Sequence, residues 1–259
     1  MRLTPSLREK VWGKTRLQPW FPDSEKPVGE AWFLGDRELP LLVKLLFTSE
    51  RLSIQVHPDD GEDGPRGKSE MWHVLAAERG AAIAIGFRNP ITRERLREAA
   101  CTGEIEKLVN WIPVRVGETY YIPAHTVHAV GQGLVLCEIQ QNSDVTYRLW
   151  DYGRPRELHI DQAVPLCDLT VHPGASRPFQ VAPGRAQLVR SKHFITESVL
   201  LAAGTSIQTS PKDCHIWICL AGRGVIGPER YGPGDVFLVE EAPNVRALAD
   251  SRFLRTWKP

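Results

Sequence analysis

Residues 116–131, VGETYYIPAHTVHAVG, can be laid without a gap on residues 233–248, PGDVFLVEEAPNVRAL. Gly117 then falls on Gly234, Glu118 on Asp235 and Tyr121 on Leu238. In both segments a Gly followed by an acid turns the chain into a short apolar strand. Upstream, WHVLAAERGAAI (72–83) is echoed by WICLAGRGVI (217–226). A weak internal repeat of this kind implies two related β-units. The 21 Gly and 20 Pro cut the remaining chain into short stretches rich in Val, Ile, Leu and aromatics. That pattern predicts a mainly β protein of the sandwich or barrel type.

Helix signals are few. Thr92 can cap a helix whose body is ERLREAACTG, with Gly103 to stop it. EIEKLVNW (104–111) reads as a second short helix, so the pair forms a helical insertion near 90–110 in the first unit. A further helical turn is expected over Pro5–Lys14. RPRELHI and VHPGASRPFQVAPGR look like connecting segments and put the unit boundary between about 155 and 185. The expected division is a first unit over 1–160 and a second over 161–259.

With 32 basic and 31 acidic residues the charges nearly cancel, which argues against a nucleic-acid partner. No apolar run approaches the ~20 residues a bilayer span needs, and MRLTPSLREKVWGK lacks the apolar core of a secretory signal. The five Cys (101, 137, 167, 214, 219) form no CxxC pair. Scattered single thiols fit a reducing, cytoplasmic location. Cys137 and Cys219 lie in apolar strand patterns and read as small core residues. The expected assembly is a monomer or weak dimer.

Three strand-like blocks carry the chemistry: LSIQVHPDD (52–60), GKSEMWHVL (67–75) and YYIPAHTVHAVG (120–131). Alternate residues of a strand share a face, so Gln55 and His57 point the same way. His57, Glu70 and His128, with Gln55 as a fourth or weaker ligand, offer a donor set for one divalent metal such as Zn²⁺. Most of the eight His in such a chain ligate nothing; it is the grouping in strand-like blocks that singles these out. In the second unit Val245 occupies the position of His128, and a Val cannot ligate a metal. His215 is the one imidazole in that unit's predicted strands and reads as a packing residue. The second unit is therefore expected to be metal-free and structural.

The Gly-Asp/Glu turn leading into an apolar strand resembles the cupin jelly roll. LSIQVHPDD, GKSEMW, IPAHTVHAVG and EIQQNSDVTYRLWDYGR resemble the signature blocks of type I mannose-6-phosphate isomerases, the zinc-dependent phosphomannose isomerases. KPVGEAWFLGD and LPLLVKLLFTSERLSIQVHPDD resemble the same family's entry into the site. The similarity spans about residues 10–155. It implies two cupin-like jelly-roll units, one Zn²⁺ per chain, and interconversion of mannose 6-phosphate and fructose 6-phosphate. It also carries the family's active-site arginine onto Arg148, to stabilise enediolate charge or orient the sugar.

Aldose–ketose isomerisation needs a polarised carbonyl, a base, and cations for a phosphate. Lys44 interrupts the apolar run LLVKLL and must pair or face a cavity; it is a candidate for substrate binding. Lys68, Glu138 and a metal-bound water are the candidate bases. Two positions depart from the family pattern: His125 stands where Gly is usual, and His73 where Tyr is common. The short link between His57 and Glu70 suggests a pared-down, more open site. The competing readings are another metal-dependent cupin enzyme, using for instance Fe²⁺, and a non-catalytic sugar-binding cupin protein.

Overall fold

The computed structural model of the chain describes residues 1–64, 66–209 and 214–259. The first unit runs β1 (Thr4–Lys14), β2 (Val28–Leu34), β3 (Leu41–Thr48), β4 (Ile54–Val56), β5 (Glu70–Ala77), β6 (Ala82–Phe87), α1 (Arg93–Thr102), α2 (Ile105–Leu108), β7 (Val109–Pro113), β8 (Thr119–Ile122), β9 (His128–Val130), β10 (Leu134–Gln141) and β11 (Tyr147–Trp150). It forms a six-stranded sheet, β1-β2-β3-β10-β5-β8, and a five-stranded sheet, β11-β4-β9-β6-β7.

After α3 (Ile160–Leu166) the second unit runs β12 (Phe179–Ala182), β13 (Arg185–Arg190), β14 (Ile195–Leu201), β15 (Ser206–Gln208), β16 (His215–Ala221), β17 (Gly224–Ile226), β18 (Glu229–Tyr231), β19 (Val236–Val239), β20 (Asn244–Ala247) and β21 (Ser251–Trp257). Its sheets are β12-β13-β14-β21-β16-β19 and β15-β20-β17-β18. The two strand orders superimpose, so the repeat seen in the sequence is a repeat of topology. The register agrees to the residue. His128 lies across from Gln55 and Ile85; Val245 lies across from Ile207 and Ile226.

The six-stranded sheets face each other. Leu41, Val43, Leu45 and Phe47 of β3 and Ile139 of β10 share one core cluster with Ile216, Ile218 and Leu254 of the second unit. The opposite face of the first large sheet packs on its own smaller sheet through Leu46, Trp72, Val74, Leu136, Ile83 and Val130. Strand β3 is thus buried on both faces along its length, which explains its nearly continuous apolar run. Lys44 is the exception in that run.

Thr92 caps α1 by accepting from the Arg95 N–H, and Gly103 ends it at φ 80°. Leu96, Ala99 and Ala100 of α1 pack with Ala163 of α3 onto Ile54, Val56 and Leu149. The helical layer therefore braces β4 and β11, the strands that carry Gln55 and Arg148. Two local expectations are corrected. Pro5–Lys14 is strand β1, paired with β2 from Thr4↔Leu34 onward. Of EIEKLVNW only Ile105–Leu108 is helical; Val109 onward is β7, paired with β6. In addition, Ile160–Leu166, to which the sequence assigned no element, is helix α3, and Phe179–Ala182, inside the connector VHPGASRPFQVAPGR, is strand β12.

Candidate metal centre

Strand register sets the site. In the smaller sheet Arg148, Gln55 and His128 are consecutive cross-strand partners on β11, β4 and β9. In the large sheet Trp72, Glu138, Lys44 and Trp32 form a second row across β5, β10, β3 and β2. Glu70 begins β5, two residues before Trp72 and on the same face. His57 follows β4. The two rows confront each other across the interior of the first unit.

His57, Glu70 and His128 converge, each with no more than 1% of its surface exposed. His57 Nε2 is 3.1 Å from His128 Nε2. Glu70 Oε2 is 3.6 Å from His57 Nε2, and Glu70 Oε1 is 3.5 Å from His128 Nε2. Donors placed tetrahedrally at ~2.0–2.2 Å around one ion stand about 3.4 Å apart, so these spacings suit a single metal.

The hydrogen bonding points the same way. His57 Nδ1 contacts the Val145 carbonyl at 2.9 Å, and His128 Nδ1 the Thr126 carbonyl at 2.8 Å. A carbonyl only accepts, so each Nδ1 carries the proton and each Nε2 presents a lone pair. Burial holds both imidazoles neutral, His128 down to about 4 and His57 well below its ordinary value. Neither Glu70 oxygen has a hydrogen-bond partner although both are buried. Burial, reinforced by Glu138, raises Glu70 to about 7. Lone pairs facing one another without a proton between them are repulsive, and a cation removes that cost.

Gln55 closes the set on its open side. Its amide nitrogen is 3.3 Å from His128 Nε2, while its oxygen accepts from Ser53 Oγ at 3.1 Å. Turning the amide over would aim the oxygen at the metal position. Lys68 Nζ lies 3.1 Å from both His57 Nε2 and Glu70 Oε2, the latter within ion-pair distance but outside hydrogen-bond geometry. Burial pulls Lys68 down, yet Glu70 and Glu138 more than offset it and its ammonium is favoured. Lys44 Nζ sits 3.0 Å from Glu138 Oε1, and Trp72 Nε1 donates to Glu138 Oε2 at 3.0 Å. Lys44 is pushed down by burial; Glu138, despite its own burial, is held low by Lys44 and Lys68. Gln55, Lys68, Lys44 and Glu138 line a cavity of ≈ 240 Å³ together with Arg148.

His125 and His73 stand apart from this cluster. His125 adopts φ 72° and contacts Glu62 Oε2 at 2.7 Å. That left-handed backbone is the one glycine takes without strain. His73 is buried with Nδ1 2.9 Å from Thr119 Oγ1, on the face of β5 opposite Trp72. Three cavity cations escaped the sequence reading: Arg8, Lys10 and Arg156. The first two had a readable signal, since Ser6, Arg8, Lys10 and Trp12 alternate along one strand face.

Among known proteins, the mannose-6-phosphate isomerase of Streptococcus mutans is 34% identical over 88% of this chain and 88% of its own length. The chain belongs to the mannose-6-phosphate isomerase family. A second member, from Bacillus subtilis, is 39% identical over 64% of this chain and 67% of its own. The crystal structure of the Bacillus subtilis mannose 6-phosphate isomerase matches with a TM-score of 0.86 at 26% identity, covering 98% of both chains. A phosphomannose isomerase variant from Salmonella typhimurium shares the fold, with a TM-score of 0.81 at 17% identity over 99% of this chain and 98% of that one. No family model matches the chain.

Proposed function

We propose that this family member interconverts mannose 6-phosphate and fructose 6-phosphate, using one Zn²⁺ held by His57, Glu70 and His128 with Gln55 as the fourth, weaker ligand. The observation that carries the reading is the convergence of two lone-pair Nε2 atoms and two carboxylate oxygens without a hydrogen bond, next to Gln55 and Lys68 of a cation-lined cavity. When bound, the metal supplies a Lewis acid that polarises the sugar carbonyl.

The chain's own residues do the rest. Arg148 presents a guanidinium beside Gln55, where charge develops on the C1–C2 oxygens, and its planar fork can meet two of them. Lys68 contributes fixed positive charge next to Glu70 instead of a base at neutral pH, because its ammonium is favoured. Lys44 Nζ and Glu138 Oε1 form the couple that holds the proton moved between C1 and C2, with Trp72 Nε1 fixing the carboxylate. Supporting this choice, Lys44 is the lysine whose proton burial loosens. Trp32, Leu46 and Leu52 give the cavity apolar walls that limit water.

The division into a catalytic unit over 1–160 and a structural unit over 161–259 belongs to the same reading. It is supported by Val245 at the position of His128 and by the shared core that the second unit completes. A cytoplasmic place is supported by five unpaired thiols.

Metal analysis of the purified protein, paired with a coupled assay on mannose 6-phosphate, tests the proposal. We expect one metal per chain, loss of activity on chelation and recovery with Zn²⁺. His128→Ala should lose both metal and activity. Full activity in metal-free protein, or an inert metal-loaded protein, would refute it.

A further inference from the structure

Strand β1 is polar inside and apolar outside. Ser6, Arg8, Lys10 and Trp12 face inward, whereas Leu7 and Val11 are 46% and 73% exposed. An edge strand on a jelly roll ordinarily turns its apolar residues to the interior. The inversion means that the interior opposite β1 is a polar space, and that space is the cavity beside the metal ligands, lined by Arg8, Lys10 and Trp12.

Six cations line this cavity: Arg8, Lys10, Lys44, Lys68, Arg148 and Arg156. Four of them have carboxylate partners. Lys10 pairs with Glu30 at 3.1 Å, Lys44 with Glu138 at 3.0 Å, Lys68 with Glu70 at 3.1 Å and Arg156 with Asp151 at 2.6 Å. Among the described residues, Arg8 and Arg148 alone of the six have no carboxylate at ion-pair distance. Arg148 stands in the row of Gln55 and His128, at the metal end. Arg8 stands on the edge strand β1 of the large sheet, three places from β10. Its guanidinium carbon lies 3.5 Å from the centre of the Trp32 ring, and Lys44 Nζ lies 4.4 Å from the same ring. Stacking fixes the plane of the guanidinium while its N–H edge stays available.

We propose that Arg8, stacked on Trp32, is the receptor for the phosphate of the substrate. The proposal rests on the phosphosugar reading above. The substrate then lies lengthwise in the cavity, with C1 and C2 at Arg148 and the metal ligands and its dianionic phosphate at Arg8. Lys10 is kept nearby by Glu30 and adds to the positive field. The two unpaired guanidiniums are thus divided by task, one for the charge that forms during reaction and one for the charge the substrate brings.

The test uses the metal-loaded, full-length protein with Arg8→Ala, Arg8→Lys and, as a control on the outward face of the same strand, Leu7→Ser. Arg8→Ala should raise KM for mannose 6-phosphate at least tenfold and change kcat less than threefold. It should weaken inorganic phosphate, used as a competitive inhibitor, by a similar factor. Arg8→Lys should recover part of both, since a point charge still attracts a dianion without matching it bidentately. Metal content and melting temperature should stay at wild-type values, and Leu7→Ser should behave as wild type. An Arg8→Ala enzyme with KM and phosphate inhibition within twofold of wild type overturns the inference and leaves the isomerase reading standing. If instead the wild type fails to isomerise mannose 6-phosphate, phosphate binding measured by calorimetry decides alone. Arg8-dependent binding would then uphold the phosphate receptor while the isomerase reading falls; Arg8-independent binding would sink both.

Discussion

Lys44→Met removes one partner from a buried ion pair of the cavity. Lys44 Nζ is 3.0 Å from Glu138 Oε1, with side-chain exposures of 4% and 7%. At that separation, and with an effective dielectric constant of about 20, the attraction is about 5.5 kcal/mol. Some of it survives the substitution, because Lys68 also favours the Glu138 charge and Trp72 still donates to its other oxygen. The expected loss of stability is therefore about 3–5 kcal/mol, the usual cost of leaving a buried charge without its partner. In a protein of this size each kcal/mol lowers Tm by roughly 2–4 °C, so Tm should fall by roughly 6–20 °C. The double variant Lys44→Met/Glu138→Gln removes both charges and keeps an acceptor for Trp72 Nε1. It should regain most of the loss, since a buried pair contributes little beyond a neutral replacement. Thermal and urea unfolding of the two variants supply the measurement. Both variants are expected to be poor enzymes, so turnover does not enter. A single variant within about 1 kcal/mol of wild type, or a double variant no more stable than the single, would refute the reasoning.

Arg148→Ala should lower kcat far more than it raises KM, with metal content unchanged and Arg148→Lys rescuing poorly, as steady-state kinetics would show; near-normal turnover would return Arg148 to a structural role. His73 is pushed down to about 4 by burial, with Arg252 adding to the effect. The folded state therefore binds fewer protons than the unfolded chain between pH 4 and the unperturbed value of about 6.5. Stability from this residue is complete above that value and falls as pH drops toward 4, by up to about 3 kcal/mol. His73→Gln, which keeps an acceptor or donor for Thr119, should flatten that acid limb in unfolding curves taken across this range; an unchanged slope would contradict it.

The gapless alignment of 116–131 with 233–248 was enough to place Val245 at the strand position equivalent to that of His128, because both segments keep the period of two. Thr92 and Gly103 delimited α1 through capping chemistry that acts locally. His57, Glu70 and His128 were legible because each lies in its own strand-like block. What was not legible follows from non-local causes. LREKVW reads as a helical turn because its polar residues are good helix formers, and its alternation is inside-out for a strand. Only the cavity behind β1 makes sense of that inversion, and with it of Arg8 and Lys10. VNWIP becomes β7 because β6 offers it an edge. Ile160–Leu166 carries a Pro at 165, which weakens its helical signal, yet packs as α3 against α1. Arg156 lies outside the strand pattern altogether and comes near the cavity through its pairing with Asp151.

The shared core between the two large sheets bears on how the molecule is made. His57, Glu70 and His128 have all left the ribosome once residue 128 is out, and Arg148 follows soon after. The back of that sheet, with Leu41, Val43, Leu45, Phe47 and Ile139, has nothing to lie against until Leu254 and its neighbours have been added. At about 5–20 residues per second, the nascent first unit waits several seconds with a broad greasy surface bare. A chain stopped early would yield aggregate and not a smaller enzyme. The second unit supplies the surface on which that face of the first large sheet packs.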